Sequence, residues 1–296
     1  MNSKIGVVLS SGGGRGIYAH TGFTMALQQL NIAVKAVAGC SAGAVVGSII
    51  ASGGDIMAWS RALCSAETNQ FWQPKSKLAL LFSALVKQGV GFIGLADTKA
   101  PIEFISKFLG VNNFEQCLYP FSVVAINIGN GDKVIFRAGE IAPQVMASAA
   151  MPVFYEPVEI DNQYYSDGAT VDLAPADAIC CHYELDIVIV HHVADRSYTV
   201  AQLKESFTKP WSIANIIYRL IYRHKAWYET GKDISFHRCP CGCKATIVVI
   251  EPKLNQLAWP ITKGGSDIMQ VAKQHTLDVL GSYFASGSNL GVRTKS

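Results

Sequence analysis

Charge is scarce in this chain. Asp, Glu, Lys and Arg make up 16% of 296 residues, and 25 basic residues against 22 acidic ones leave a net charge of only +3. That near balance gives no argument for nucleic-acid binding, and no nucleic-acid partner is expected. Long hydrophobic runs are missing too. Residues 78–96 come nearest, but Lys87, Gln88 and several glycines interrupt them, and a membrane-spanning helix needs ~18 or more apolar residues in a row. The apolar run near the start, residues 5–9, is too short for the core of an export signal and runs into glycines. The expectation is a cytoplasmic protein with peripheral membrane contact. Repeats, low-complexity segments and an evident linker are all lacking, so residues 1–296 read as one domain. The eight cysteines (Cys40, Cys64, Cys117, Cys180, Cys181, Cys239, Cys241 and Cys243) are expected to be reduced thiols in such a compartment.

What the chain does have is apolar mass. Half of its residues are hydrophobic and the mean hydropathy is +0.23. A large α/β core accounts for this, and so does apolar surface that handles lipid. Strands are expected at 4–10, 34–39, 121–128, 133–137, 163–166, 186–193 and 245–250. Helices are expected at 17–30, 42–51, 141–150, 175–182, 211–228 and 265–283, with mostly helical structure from 55 to 109. Ile17, Phe23, Ala26, Leu27 and Leu30 fall near one helical face. Strands that alternate with helices imply a mostly parallel central sheet with helices on both faces.

Three places carry chemistry. Gly39-Cys40-Ser41-Ala42-Gly43 is a G-x-S-x-G sequence between a strand and a helix. In that setting the chain turns sharply, the serine takes a strained backbone, and its Oγ is expected to stand exposed at a helix N-terminus that favours negative charge. Gly12-Gly13-Gly14-Arg15-Gly16 also lies between a strand and a helix. The dinucleotide spacing fails at Ile17, and the Gly-Lys-Ser/Thr ending of a phosphate loop is absent. A row of backbone N–H groups for an oxyanion is the better reading of that loop. A serine nucleophile also needs a proton acceptor. None of the seven histidines stands in a triad-like setting; His191 and His192, at a strand end, read as structural. Asp167, followed by Gly168 at the end of a short strand, is the carboxylate alternative, although an Asp-Gly pair is also an ordinary turn.

Taken together, these segments resemble the patatin-like phospholipases, whose glycine-rich loop, G-x-S-x-G elbow and Asp-Gly pair occur in this order. A fourth feature, Ala-Ser-x-Ala-x-Pro, is matched by Ala147-Ser148-Ala149-Ala150-Met151-Pro152. The resemblance covers about the first 180 residues. One departure follows the Asp-Gly pair, where Asp172-Leu173-Ala174-Pro175 replaces the family's usual Asn-x-Pro. The resemblance implies a Ser41–Asp167 dyad, an oxyanion held by the Gly12–Gly16 loop with donors near Gly13, Gly14 and Arg15, Gly39 and Gly43 flanking the elbow, and an acyl-enzyme. It implies no metal and no cofactor. The implied substrate is a phospholipid or lysophospholipid. The alternatives are acyl transfer through the same intermediate and a non-catalytic lipid-binding role.

Three further features lie outside these motifs. His237-Arg-Cys239-Pro-Cys241-Gly-Cys243 has a C-x-C-x-C spacing unlike the paired spacings of zinc sites, and reduced thiols in a turn are favoured over a metal. Residues 211–228 mix aromatics with Arg219, Arg223, His224 and Lys225; a core helix is favoured there over an interfacial one. Residues 78–96 are the expected lid or acyl-chain groove.

Overall fold

The computed structural model describes residues 3–76, 92–193, 200–208, 231–255 and 264–285, together with 212, 216, 220–222, 228 and 257. The chain starts with β1 (Ile5–Leu9), α1 (Gly13–Gln29), β2 (Val34–Cys40), α2 (Ala42–Ala51), α3 (Ile56–Ser65) and α4 (Lys99–Ser106). Then come β3 (Phe121–Asn127), β4 (Lys133–Phe136), α5 (Ile141–Ala149), β5 (Val158–Ile160) and β6 (Gln163–Asp167). It closes with β7 (Ile187–His191), α6 (Val200–Phe207), β8 (Ile234–Arg238), β9 (Thr246–Ile250) and α7 (Gly265–Ala285).

The strands form one mixed sheet in the order β5-β6-β3-β2-β1-β7-β9-β8, with β4 paired to β3. Its centre, from β3 to β9, is parallel. Its flanks, β4, β5, β6 and β8, pair antiparallel. Alternate residues of the central strands enter opposite layers, as the two-residue period of a strand requires. Val7, Leu9, Val37, Ile187, Ile189 and Val248 face a core shared with α1, α2, α3 and α7. Val8, Ala36, Ala38, Val188, Val190 and Val249 face the other core, covered by the segment after β6 and by Tyr222 and Tyr228. The expected α/β architecture is thus present, and α2 has the bounds read from the sequence.

Some expectations change. The glycine-rich turn is already helix: α1 begins at Gly13, and the Gly16 N–H donates to Gly12 O at 2.9 Å. The helix expected over 175–182 is only a 3-10 turn, Ala176–Ala178. There the Arg137 guanidinium takes the Ala178 carbonyl at 2.8 Å, an acceptor that a continuing helix needs. The short β5, the edge strand β8 and α6 were not foreseen. Most of the proposed lid (residues 77–91) and of the 211–228 helix lies outside the described residues. Among the described residues, no helix is long and apolar enough to cross a membrane.

Candidate active site

β2 delivers Ser41 to the sheet's C-terminal edge, and α2 leaves it at once. The elbow between them is tight. Ser41 holds φ 53° and ψ −120°, a region that costs a side-chain-bearing residue about 1–3 kcal/mol. A Cβ on Gly43 would lie 2.0 Å from Leu9 O, so only glycine lets the first turn of α2 sit on the end of β1. The strained peptide is held by α5. The Ser41 N–H donates to Ser148 Oγ at 2.9 Å, and that hydroxyl donates to Val124 O at 2.5 Å.

Asp167 reaches Ser41 through the pairing of β3. Val124 pairs with Cys40 of β2, and the next residue, Ala125, pairs with Asp167 of β6. β4 occupies the other edge of β3 over Val123–Ile126. β2 and β6 therefore share one edge and meet end to end. Gly168 makes the exit possible, because a Cβ there would lie 2.1 Å from Val124 O. The Ser41 hydroxyl donates to Asp167 Oδ2 at 2.8 Å, and Asp167 Oδ1 accepts the Ala169 N–H at 2.9 Å.

The pair is dry. Asp167 has no exposed surface and Ser41 only 4%, where an exposed Oγ was expected. The Tyr222 hydroxyl closes over the acid, donating to Asp167 Oδ2 at 3.1 Å, the same oxygen that Ser41 reaches. Burial pushes the Asp167 carboxyl up from 3.8 to about 6, against the pull of the Ala169, Ser41 and Tyr222 donors, which favour the anion. Neither Tyr222 nor the structural use of Ser148 was foreseen. Tyr222 sits 55 positions from Asp167, and no local pattern marks it.

The glycine-rich loop lies beside the elbow. A Cβ on Gly16 would lie 2.9 Å from Ala42 Cβ, so the first turns of α1 and α2 nearly touch. First-turn amides of a helix have no carbonyl within it to bond, and Gly13, Gly14 and Arg15 supply those amides at the positive end of α1. Gly12 lies just ahead of them as the N-cap of α1. The Arg15 guanidinium donates to Val193 O at 2.7 Å, which ties the loop to the end of β7. The buried histidines engage other partners. His20 Nε2–H donates to Ser10 O at 2.7 Å, and burial pushes the His20 ring down to about 3. Its free Nδ1 then accepts from His191 Nδ1–H at 2.8 Å, and His192 lies 3.0 Å from Glu251. Among the described residues, the side-chain partner of Ser41 Oγ is Asp167.

This geometry places the chain among α/β proteins built around a strand–serine–helix elbow. Residues 7–179, more than half of the chain, match the family model for patatin-like phospholipase, and the protein belongs to that family. An uncharacterised NTE family protein of Mycobacterium bovis is 28% identical over 174 residues, 58% of this chain and 44% of that one. Lysophospholipase NTE1 of Cryptococcus neoformans is 26% identical over 187 residues, 63% of this chain and 11% of that one. The chain thus spans less than half the length of these relatives. Human GIVD cytosolic phospholipase A2 shares the fold with a TM-score of 0.51 at 9% identity, covering 96% of this chain and 62% of that one.

Proposed function

We propose that this protein is a lipid acyl hydrolase that cleaves fatty-acyl esters of phospholipids or lysophospholipids, with Ser41 as nucleophile and Asp167 as base. The observation that carries this reading is the 2.8 Å bond from Ser41 Oγ to a buried carboxylate at a strained elbow. Family membership and a relative named a lysophospholipase support the lipid ester as substrate.

In this reading Asp167 takes the Ser41 proton as Oγ attacks the ester carbonyl. A carboxyl at about 6 is mostly ionised at neutral pH, yet basic enough to hold that proton in passing. The oxyanion develops beside the N-terminal ends of α1 and α2, where the first-turn amides of Gly13, Gly14 and Arg15 stabilise it. Asp167 passes its proton to the leaving alcohol. The acyl-enzyme that remains is opened by water, whose proton Asp167 accepts and returns to Ser41. Tyr222 keeps the carboxylate oriented throughout.

Fatty-acid release from mixed phospholipid vesicles tests this. Ser41→Ala is expected to abolish release, and Asp167→Asn to lower it by about 10²-fold or more, both with the fold intact. An active Asp167→Asn protein overturns the assignment of the base, and a wild type that releases nothing from any phospholipid or lysophospholipid overturns the substrate class.

A further inference from the structure

Far from Ser41 in sequence, the loop between β8 and β9 carries Cys239, Cys241 and Cys243. Their one-residue spacing does not make a zinc motif by itself. The fold adds what the spacing lacks. Cys180, which follows the 3-10 turn Ala176–Ala178, comes to the same place, and the sulfurs of Cys180, Cys239, Cys241 and Cys243 all lie within 4.8 Å of one another. Cys241 Sγ is 3.0 Å from Cys180 Sγ and 3.0 Å from Cys239 Sγ. None of these cysteines is in a disulfide.

We propose that Cys180, Cys239, Cys241 and Cys243 form a tetrahedral zinc site that staples the β8–β9 hairpin to the segment following the 3-10 turn. Four sulfurs at ~2.3 Å from one zinc ion stand ~3.8 Å apart, and the present separations, from 3.0 Å up to 4.8 Å, bracket that distance. Sulfur is the ligand set of soft, tetrahedral ions and excludes magnesium and calcium. The loop has a shape that suits such an ion. The Gly242 N–H donates to Cys239 O at 3.0 Å and closes a turn, with Gly242 at φ 78°. That turn brings three alternate side chains toward one point. On binding, each thiol loses its proton to solvent, and four thiolates around Zn²⁺ carry a double negative charge. Arg238 and Lys244 bracket the loop and offset it. One disulfide would leave two of the four sulfurs without a role, whereas one ion employs all of them. A clamp here also has mechanical sense, because among the described residues β8 is the outermost strand of the sheet and pairs only with β9.

Cys181 is the near miss. Its sulfur is 2.9 Å from Cys241 Sγ, but it stands outside the four-sulfur group. It is assigned as a neighbour, not a ligand. His237 also stands outside that four-sulfur group.

The test is elemental analysis of the full chain, purified under reducing conditions without a metal-affinity tag. The expected result is close to one zinc per chain. That zinc is lost in Cys239→Ser/Cys241→Ser and in Cys180→Ser, and retained in Cys181→Ser and in the distant control Cys64→Ser/Cys117→Ser. Because loss of ligands can also unfold the loop, a second measurement uses the wild-type chain. Exchange of its metal for cobalt is expected to produce the intense thiolate charge-transfer and d–d bands of a tetrahedral sulfur site. Wild-type protein with only traces of any metal, or with these cysteines joined in disulfides after reducing purification, overturns the proposal. Retention of zinc by the folded Cys239→Ser/Cys241→Ser variant overturns it as well.

Discussion

Asp167 is charged where no water reaches it, so one substitution separates the needs of chemistry from those of folding. Its carboxyl holds a proton up to about 6 in the folded chain, against 3.8 when exposed. The folded state therefore binds more protons than the unfolded state between those values, and stability falls as pH rises through that window. With ~1.4 kcal/mol for each pH interval, the difference corresponds to about 3 kcal/mol of stability lost by neutral pH. Asparagine removes the charge and keeps the contacts. Its carbonyl accepts the Ala169 N–H, and its two amide hydrogens face Ser41 Oγ and the Tyr222 hydroxyl, the groups that now share Oδ2.

The expected outcome is an Asp167→Asn protein that is nearly inactive and more stable than wild type at neutral pH by about 1–3 kcal/mol. The gain disappears at a pH below 3.8, where the wild-type carboxyl is protonated in both states. Urea unfolding of both proteins across this range measures it, and the difference between them cancels every other titrating group. Parallel stability–pH curves, or a variant less stable than wild type at neutral pH, would refute the reasoning. Either would mean that the carboxylate's three donors match or outweigh its desolvation.

Two more predictions follow from the same site. At most helical or strand positions glycine is less stable than alanine, but at position 41, with φ 53°, Ser41→Gly is expected to exceed Ser41→Ala by about 1 kcal/mol in thermal or urea unfolding. The reverse order would show that the elbow is unstrained. Tyr222→Phe removes a donor that favours the Asp167 anion, so the acid limb of kcat/KM is expected to move to higher pH by about half to one pH unit. A pure loss of kcat with an unmoved limb would assign the tyrosine to packing alone.

Parts of the site that are contiguous in the chain were legible as text. The elbow could be read because a strand, a serine between glycines and a helix fall within a few residues, and α2 begins and ends where its sequence says. Long-range partners were not. Tyr222 belongs to a segment that reads as a core helix. Cys180 sits in a stretch whose spacing resembles a helix, and nothing there announces the thiols of the β8–β9 loop. The 3-10 turn at Ala176–Ala178 depends on Arg137, some 41 positions away from Ala178, and a local period cannot register such a competitor.

The segment Ala147–Pro152 shows most clearly what the sequence conceals. Its residues bind both halves of the candidate site. Ser148 holds the Ser41 amide and the Val124 carbonyl. Two residues on, the Ala150 carbonyl accepts the Asp167 N–H at 3.1 Å and the Ser166 hydroxyl at 2.6 Å. Both anchors lie at the point on β3 where β2 ends and β6 arrives. A strand that slips by one residue turns every side chain to its other face. Such a slip of β6 would put Ser166 opposite Ala125 and carry the carboxylate away from Ser41. The end of α5 fixes that register against the elbow itself, so the separation of serine and acid is set by one rigid segment and not by two independent strand ends.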